Sequence, residues 1–298
     1  LETNKMFTLI FILSWYYISA QDTNDPIGKT DELAEENAAE ERINPWQQGS
    51  GEILLSPFVS RYEATSYRTS DGDKIDFARD GKFSNYNPRL FVAAPFFGER
   101  LNIIGSIPFF SNTYEDNDAS DTNTDFGDLE VGLKAHLARF KENYLMASVI
   151  AYIPLYSNTS TPFIGYDLFA LEARLIFAGT QKSLGEYNNF HKVEVGLRYF
   201  FPEDPLQLRI LVSEGYDLSD RVSLLGELEG MFSFSERDEF FRNNLQAVAD
   251  FNMIKASLNL GYQFSDTFTL YGGLFHDIFN RNSAVGRGFQ AFAVIRLN

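Results

Sequence analysis

The stretch Lys192-Val193-Glu194-Val195-Gly196-Leu197-Arg198-Tyr199 decides the fold. Lys192, Glu194, Gly196 and Arg198 alternate with Val193, Val195, Leu197 and Tyr199, and a strand turns successive side chains to opposite faces. One face is therefore charged or small and the other apolar. Asp128–His136 repeats the pattern, with Glu130, Gly132 and Lys134 opposed to Leu129, Val131 and Leu133. Met253–Phe264 repeats it again, with Lys255, Ser257 and Asn259 opposed to Ile254, Ala256 and Leu258. Many such segments in series describe a closed sheet with a wet interior and an apolar exterior, an all-β transmembrane antiparallel barrel.

Working outward from these segments, alternation predicts strands at 52–67, 86–98, 101–114, 126–140, 143–157, 167–180, 190–202, 205–217, 220–234, 250–264, 267–280 and 286–297. Twelve is an even number, as expected when both ends of the barrel lie on the periplasmic side. Tight breaks at Gly98-Glu99-Arg100, Phe140-Lys141-Glu142, 217–220 and 265–267 read as periplasmic turns. Breaks at 68–85, 115–125, 158–166 and 235–249 read as longer extracellular loops. Two connections fit less well: 181–189 is long where a turn is expected, and Pro202-Glu203-Asp204-Pro205 is short where a loop is expected.

Composition narrows the functional classes. The chain holds 29 Phe, 15 Tyr, 2 Trp, 21 Gly and no Cys among 298 residues. Aromatic residues suit the two interfacial girdles of a barrel, and Phe96-Phe97 and Phe109-Phe110 near strand ends read as girdle rather than as an apolar pore mouth. Absence of cysteine removes a disulfide scaffold and a thiolate nucleophile. A net charge of −16 offers no basic stripe for a phosphate backbone, so nucleic acid is not an expected partner. Outer-membrane lipids are.

Three domains are expected. Residues 1–20, with Lys5 before the apolar run Met6–Ile18 and Ser19-Ala20 at a cleavage site, read as a signal peptide. The run is shorter than the roughly 20 residues a spanning helix needs. Residues 21–49 are acidic, lack alternation and read as a periplasmic lead-in. Residues 50–298 form the barrel, placed in the outer membrane of a Gram-negative-type bacterium. A soluble antiparallel barrel also alternates, but the segments of about 10–14 residues exceed the usual soluble strand.

The inward face carries the candidate site. Glu130, Lys134, Glu172, Arg174, Glu194, Arg198, Arg209, Glu227, Glu229, Lys255 and Arg296 all fall on it and are expected to face the lumen. Opposite charges on neighbouring strands pair there, either filling the interior or lining a solute path. No catalytic residue is nominated. His136, His191 and His276 sit in separate strands without metal-ligand spacing, and the Glu227 and Glu229 pair shares one strand face, with no acid–base separation that periodicity can supply. No cofactor and no dedicated metal are expected. The acidic run 115–125 lacks the ligand order of a calcium loop, which leaves diffuse divalent-cation contacts shared with anionic lipids.

Phe126-Gly127-Asp128-Leu129-Glu130-Val131-Gly132-Leu133-Lys134-Ala135 resembles the Gly-Asp-x-x-x-Gly-x-Lys strand of outer-membrane proteins of the phenol meta-degradation pathway family. Ala151-Tyr152-Ile153-Pro154-Leu155 and Val195-Gly196-Leu197-Arg198-Tyr199 are similar in kind, and the resemblance extends over 50–298. It implies a porin-like barrel, some of whose relatives are linked to hydrocarbon uptake. The expectation is a non-enzymatic channel or transporter for small solutes, aromatic or hydrophobic ones included, by passive diffusion. The alternatives are a closed structural barrel and a membrane-embedded lipid hydrolase.

Overall fold

A computed structural model describes residues 52–97, 100–183, 187–202, 205–236 and 248–297. The expected signal peptide 1–20 and acidic segment 21–49 lie outside the described residues. Fourteen strands form one sheet: β1 Ile53–Arg68, β2 Lys74–Asp76, β3 Lys82–Phe97, β4 Leu101–Glu115, β5 Ser120–Phe126, β6 Asp128–Phe140, β7 Asn143–Pro154, β8 Ala170–Ser183, β9 Tyr187–Phe200, β10 Leu206–Asp217, β11 Val222–Phe234, β12 Phe251–Ser265, β13 Phe268–Arg281 and β14 Ser283–Leu297. Twelve of them make the barrel. The neighbour order runs β14-β13-β12-β11-β10-β9-β8-β7-β6-β4-β3-β1, and β1 pairs with β14 to close the ring. Closure leaves no barrel edge with unpaired backbone groups, which lipid cannot satisfy. Every pairing is antiparallel, from Ile53↔Leu297 at the seam to Ala170↔Phe200 between β8 and β9.

The outer face is apolar because the alternation is. Val131, Leu133, Val149, Leu175, Val195, Leu197, Leu258, Leu260 and Leu274 are all exposed. In a water-soluble protein this surface would be a large aggregation hazard; in lipid it is the solvated face. Aromatic residues bound it at both ends. Phe96, Phe140, Tyr262 and Phe264 stand exposed near the tight turns, while Phe126, Phe169, Tyr199 and Phe201 stand exposed at the opposite end. Phe109 packs edge-on against Phe126 at 5.4 Å, while its neighbour Phe110 turns inward against the loop-end cavity described below. The outward face of β1 becomes charged beyond Val59, where Arg61 bonds Glu63 at 2.8 Å and Lys82 reaches Glu63 at 3.2 Å. Strands of 12 to 16 residues thus outrun the apolar belt on that side.

Most short connections lie at one end and the long ones at the other. β8 runs to Ser183 and β9 begins at Tyr187, so the awkward connection 181–189 contracts to 184–186, outside the described residues. Two connections are short on the long-loop side: β9–β10, and β13–β14, where Asn282 alone joins the strands. Residues 115–125 are not a free loop: β5 pairs with β4 from Phe109↔Phe126 to Glu115↔Ser120, projecting as a hairpin. Alternation missed it because Asp121, Asn123 and Asp125 have no apolar face to reveal. Residues 68–85 likewise hold β2, paired with the end of β1, and a 3-10 turn at Ala78–Asp80.

Candidate functional site

The interior is built by register. Glu172 lies directly opposite Arg198, Glu229 opposite Lys255, and Glu227 opposite both Ser213 and Ser257. Gly196 stands between Arg174 on β8 and Arg209 on β10. A Cβ at Gly196 would come within 2.8 Å of Glu172 Oε1, so the missing side chain is what lets the carboxylate sit among three guanidinium groups.

Glu172 is fully buried and pairs with Arg174 at 2.5 Å, Arg198 at 2.9 Å and Arg209 at 3.2 Å, while Tyr152 donates its hydroxyl to it at 2.9 Å. The Arg198 guanidinium lies 3.7 Å from the centre of the Tyr152 ring. Arg174 continues to Glu194 at 3.0 Å, which also holds Lys192 at 2.9 Å. Arg209 continues to Glu229 at 3.4 Å, which holds Lys255 at 2.5 Å. The network therefore spans the inner faces of β8 to β12, each carboxylate shared by at least two cations. Charges buried this way are tolerable because every one has oppositely charged partners at hydrogen-bond distance. Glu227 is held by neutral donors, Ser213, Ser257 and Asn259, at 3.2–3.3 Å.

Two cavities of about 370 Å³ each occupy the interior, one toward the turns and one toward the loops. Phe58, Arg89, Glu130, Arg209, Glu229, Lys255 and Gln290 line both and form the neck between them. The charge balance differs between chambers. Arg89, Lys134, Arg174, Lys192, Arg209 and Lys255 face the turn-end chamber against Glu130, Glu194, Glu227 and Glu229. In the loop-end chamber Arg89, Arg198, Arg209 and Lys255 face Asp128, Glu130, Glu229 and Asp277. A strongly acidic chain thus encloses one chamber with a surplus of cations.

The connection 155–169 bends into the loop-end chamber instead of standing off the barrel. Ile164, Gly165 and Tyr166 line the cavity. Asn112 donates to the Phe163 carbonyl at 2.9 Å, Asn158 donates to the Gly165 carbonyl at 2.7 Å, and Tyr166 donates to the Val248 carbonyl at 2.6 Å. Burial, with Asp128 nearby, pushes the Tyr156 phenol above its usual range, so it stays protonated while accepting from the Asp167 amide at 3.1 Å. The segment is a constriction tied to the wall by its own backbone.

Of the sequence-nominated residues, Glu130, Lys134, Arg174, Glu194, Arg198, Arg209, Glu227, Glu229 and Lys255 line a chamber. Glu172 lies behind them, sequestered by its arginines. Arg296 lines neither cavity and pairs with Glu52 at 3.1 Å. Arg89, Tyr152, Phe58 and Gln290 were not nominated. Arg89 had a signal, since Asn85, Asn87 and Arg89 alternate along β3; the two rings did not, because an inward aromatic residue looks the same in sequence as an outward one. The histidines remain apart: His136 packs against Tyr144, His191 against Phe177, and His276 bonds the Gly286 carbonyl.

An outer membrane channel from Pseudomonas putida F1 superposes on this barrel with a TM-score of 0.65 and 14% identity, over 91% of this chain and 100% of that one. The transport unit of the autotransporter AIDA-I from Escherichia coli superposes with a TM-score of 0.52 and 9% identity, over 88% of this chain and 94% of that one. No family model matches the chain, and no curated protein matches it by sequence. At these identities the likeness bears on the fold. That fold, closed and belted by apolar side chains, is the outer-membrane β-barrel.

Proposed function

We propose that this chain is an outer-membrane channel through which small solutes pass by diffusion. The observation that carries the reading is the pair of chambers meeting at a neck of fixed charges, Arg89, Glu130, Arg209, Glu229 and Lys255. Charges of both signs at a constriction orient and select permeant molecules as they pass. The even strand count and the grouping of short turns support an orientation with the turns, residues 21–49 and the C-terminus at the periplasm. The β4–β5 hairpin and the connection 155–169 then face the exterior. The sequence resemblance supports aromatic solutes among those that pass, and Phe58, Phe91 and Phe292 offer them apolar contacts beside the charges.

A second reading is a closed barrel, favoured by the tethered segment 155–169 and by the ion-pair network of β8 to β12. Single-channel conductance of the full chain in planar bilayers, with liposome uptake of small aromatic compounds, separates the two. The channel reading expects discrete conductance that rises when 158–165 is shortened. Folded protein that neither conducts nor admits solute overturns it. Orientation is tested on intact cells: a cysteine at position 120 labels from outside, one at 219 only after the outer membrane is ruptured, and the reverse pattern overturns the assignment.

A further inference from the structure

One row of the barrel wall presents donors without acceptors. Lys134 on β6 lies directly opposite Ser148 on β7, which lies directly opposite Arg174 on β8. Directly opposed side chains in an antiparallel sheet stand within about 5 Å of one another at Cβ. Arg174 is consumed by Glu172 and Glu194. Lys134 and Ser148 are not. Both are more than nine-tenths buried, at 8% and 4% exposure, and both face the turn-end chamber. Ser148 Oγ has no hydrogen-bond partner among the described residues. The charges that act on Lys134 are Lys192 and Glu194, and it closes no ion pair or hydrogen bond with a described residue.

An ammonium and a hydroxyl held side by side with their donors uncommitted suit an oxyanion. The nearby carboxylate Glu194 is already shared by Arg174 and Lys192, and Glu130 stands toward the neck, so the chamber keeps its cationic surplus. The rows above and below supply the rest of the pocket. Met146 opposes Ile176 on one side, and Ile104 and Ile150 flank Gly132 on the other, and all four apolar side chains line the chamber. Polar donors in an aliphatic surround are the usual construction of a site for an amphiphilic ligand.

We propose that the turn-end chamber binds the carboxylate of a small amphiphilic acid, with Lys134 and Ser148 as the anion-holding groups and Ile104, Met146, Ile150 and Ile176 against its apolar body. This names a solute class for the proposed channel and rests on that reading for access to the chamber. Such a site concentrates the acid on the periplasmic side of the neck.

The test uses the full chain refolded in detergent, with benzoate as probe and benzamide as its uncharged counterpart, both titrated by calorimetry. Benzoate is expected to bind saturably, and benzamide at least roughly tenfold more weakly. Lys134→Met is expected to lower benzoate affinity roughly tenfold or more, while Lys74→Met at the loop end leaves it unchanged. Ser148→Asp, which sets a carboxylate beside the ammonium, abolishes binding and serves where Lys134→Met does not reach full strand content by circular dichroism. Equal binding of benzamide, or benzoate affinity untouched in folded Lys134→Met or Ser148→Asp, overturns the site. Conductance of the same preparation separates the two readings. Benzoate binding without conductance keeps the site and removes the channel; conductance without benzoate binding removes the site and keeps the channel.

Discussion

Strands β8 to β12 and strands β13, β14 and β1 carry the same outward alternation and use their inner faces in opposite ways. The first set turns inward Glu172, Arg174, Glu194, Arg198, Arg209, Glu229 and Lys255, linked into one ion-pair network. The second turns inward rings: Tyr271 stacks on Phe292 at 4.8 Å, Phe292 on Phe58 at 6.5 Å, and Tyr62 on Phe275 at 6.3 Å. Glycines make room in both. Gly196 admits the Glu172 carboxylate, whereas a Cβ at Gly261 or Gly288 would run into the rings of Tyr271 or Phe275. The difference teaches that a lipid-facing wall constrains only its outside. What fills the inside is free to be charge or ring, and most of its charges are held by opposite partners.

The comparison breaks most visibly at Glu172. Glu172→Gln leaves Arg174, Arg198 and Arg209 with less counter-charge, and an expected loss of about 3–5 kcal/mol follows from uncovering buried charges. Urea unfolding from lipid vesicles checks it; a loss below that of Tyr271→Leu would place the main stabilising contacts in the aromatic half. On the outer face, Leu258→Arg near the middle of β12 is expected to cost about 2–4 kcal/mol in the same assay. A neutral result there would mean that this face does not meet lipid.

Smaller effects sharpen the contrast. Gly196→Ala forces Glu172 aside and is expected to cost about 1–3 kcal/mol through overpacking. Its conductance should also change, since Arg174 and Arg209 shift with the carboxylate. Tyr271→Leu in the ring stack is expected to lose about 0.5–1.5 kcal/mol beyond the area it uncovers. Least affected is the outer hairpin. Asp118→Asn removes an exposed pair with Arg79, and a change within about 0.5 kcal/mol is expected because solvent screens both partners.

Legibility followed the solvent. All twelve barrel strands were readable because lipid demands an apolar outer face at every second residue, and a period of two is visible without knowing any neighbour. The opposite parity carries the charged residues that line the two chambers, Glu172 and Arg296 apart. Bulges blurred it locally: the register slips between Ile254 and Lys255 against Phe279 and Asp277, which leaves Ile278 and Phe279 both exposed although only one parity should be. The β4–β5 hairpin was hidden because neither face of β5 is apolar: Ser120, Thr122 and Thr124 alternate with Asp121, Asn123 and Asp125.

Sequence alone sufficed for a barrel, its twelve strands and its apolar belt, because those follow from local alternation against a uniform solvent. Only the tertiary structure decided which carboxylate meets which cation, since register between strands as distant as β8 and β10 joins Glu172 to Arg209 across 37 residues. It also decided that Lys134 and Ser148 stand side by side without acceptors and that 155–169 turns inward. Those outcomes depend on how the closed ring brings separate strands into one small volume, and no periodicity within a single strand encodes that.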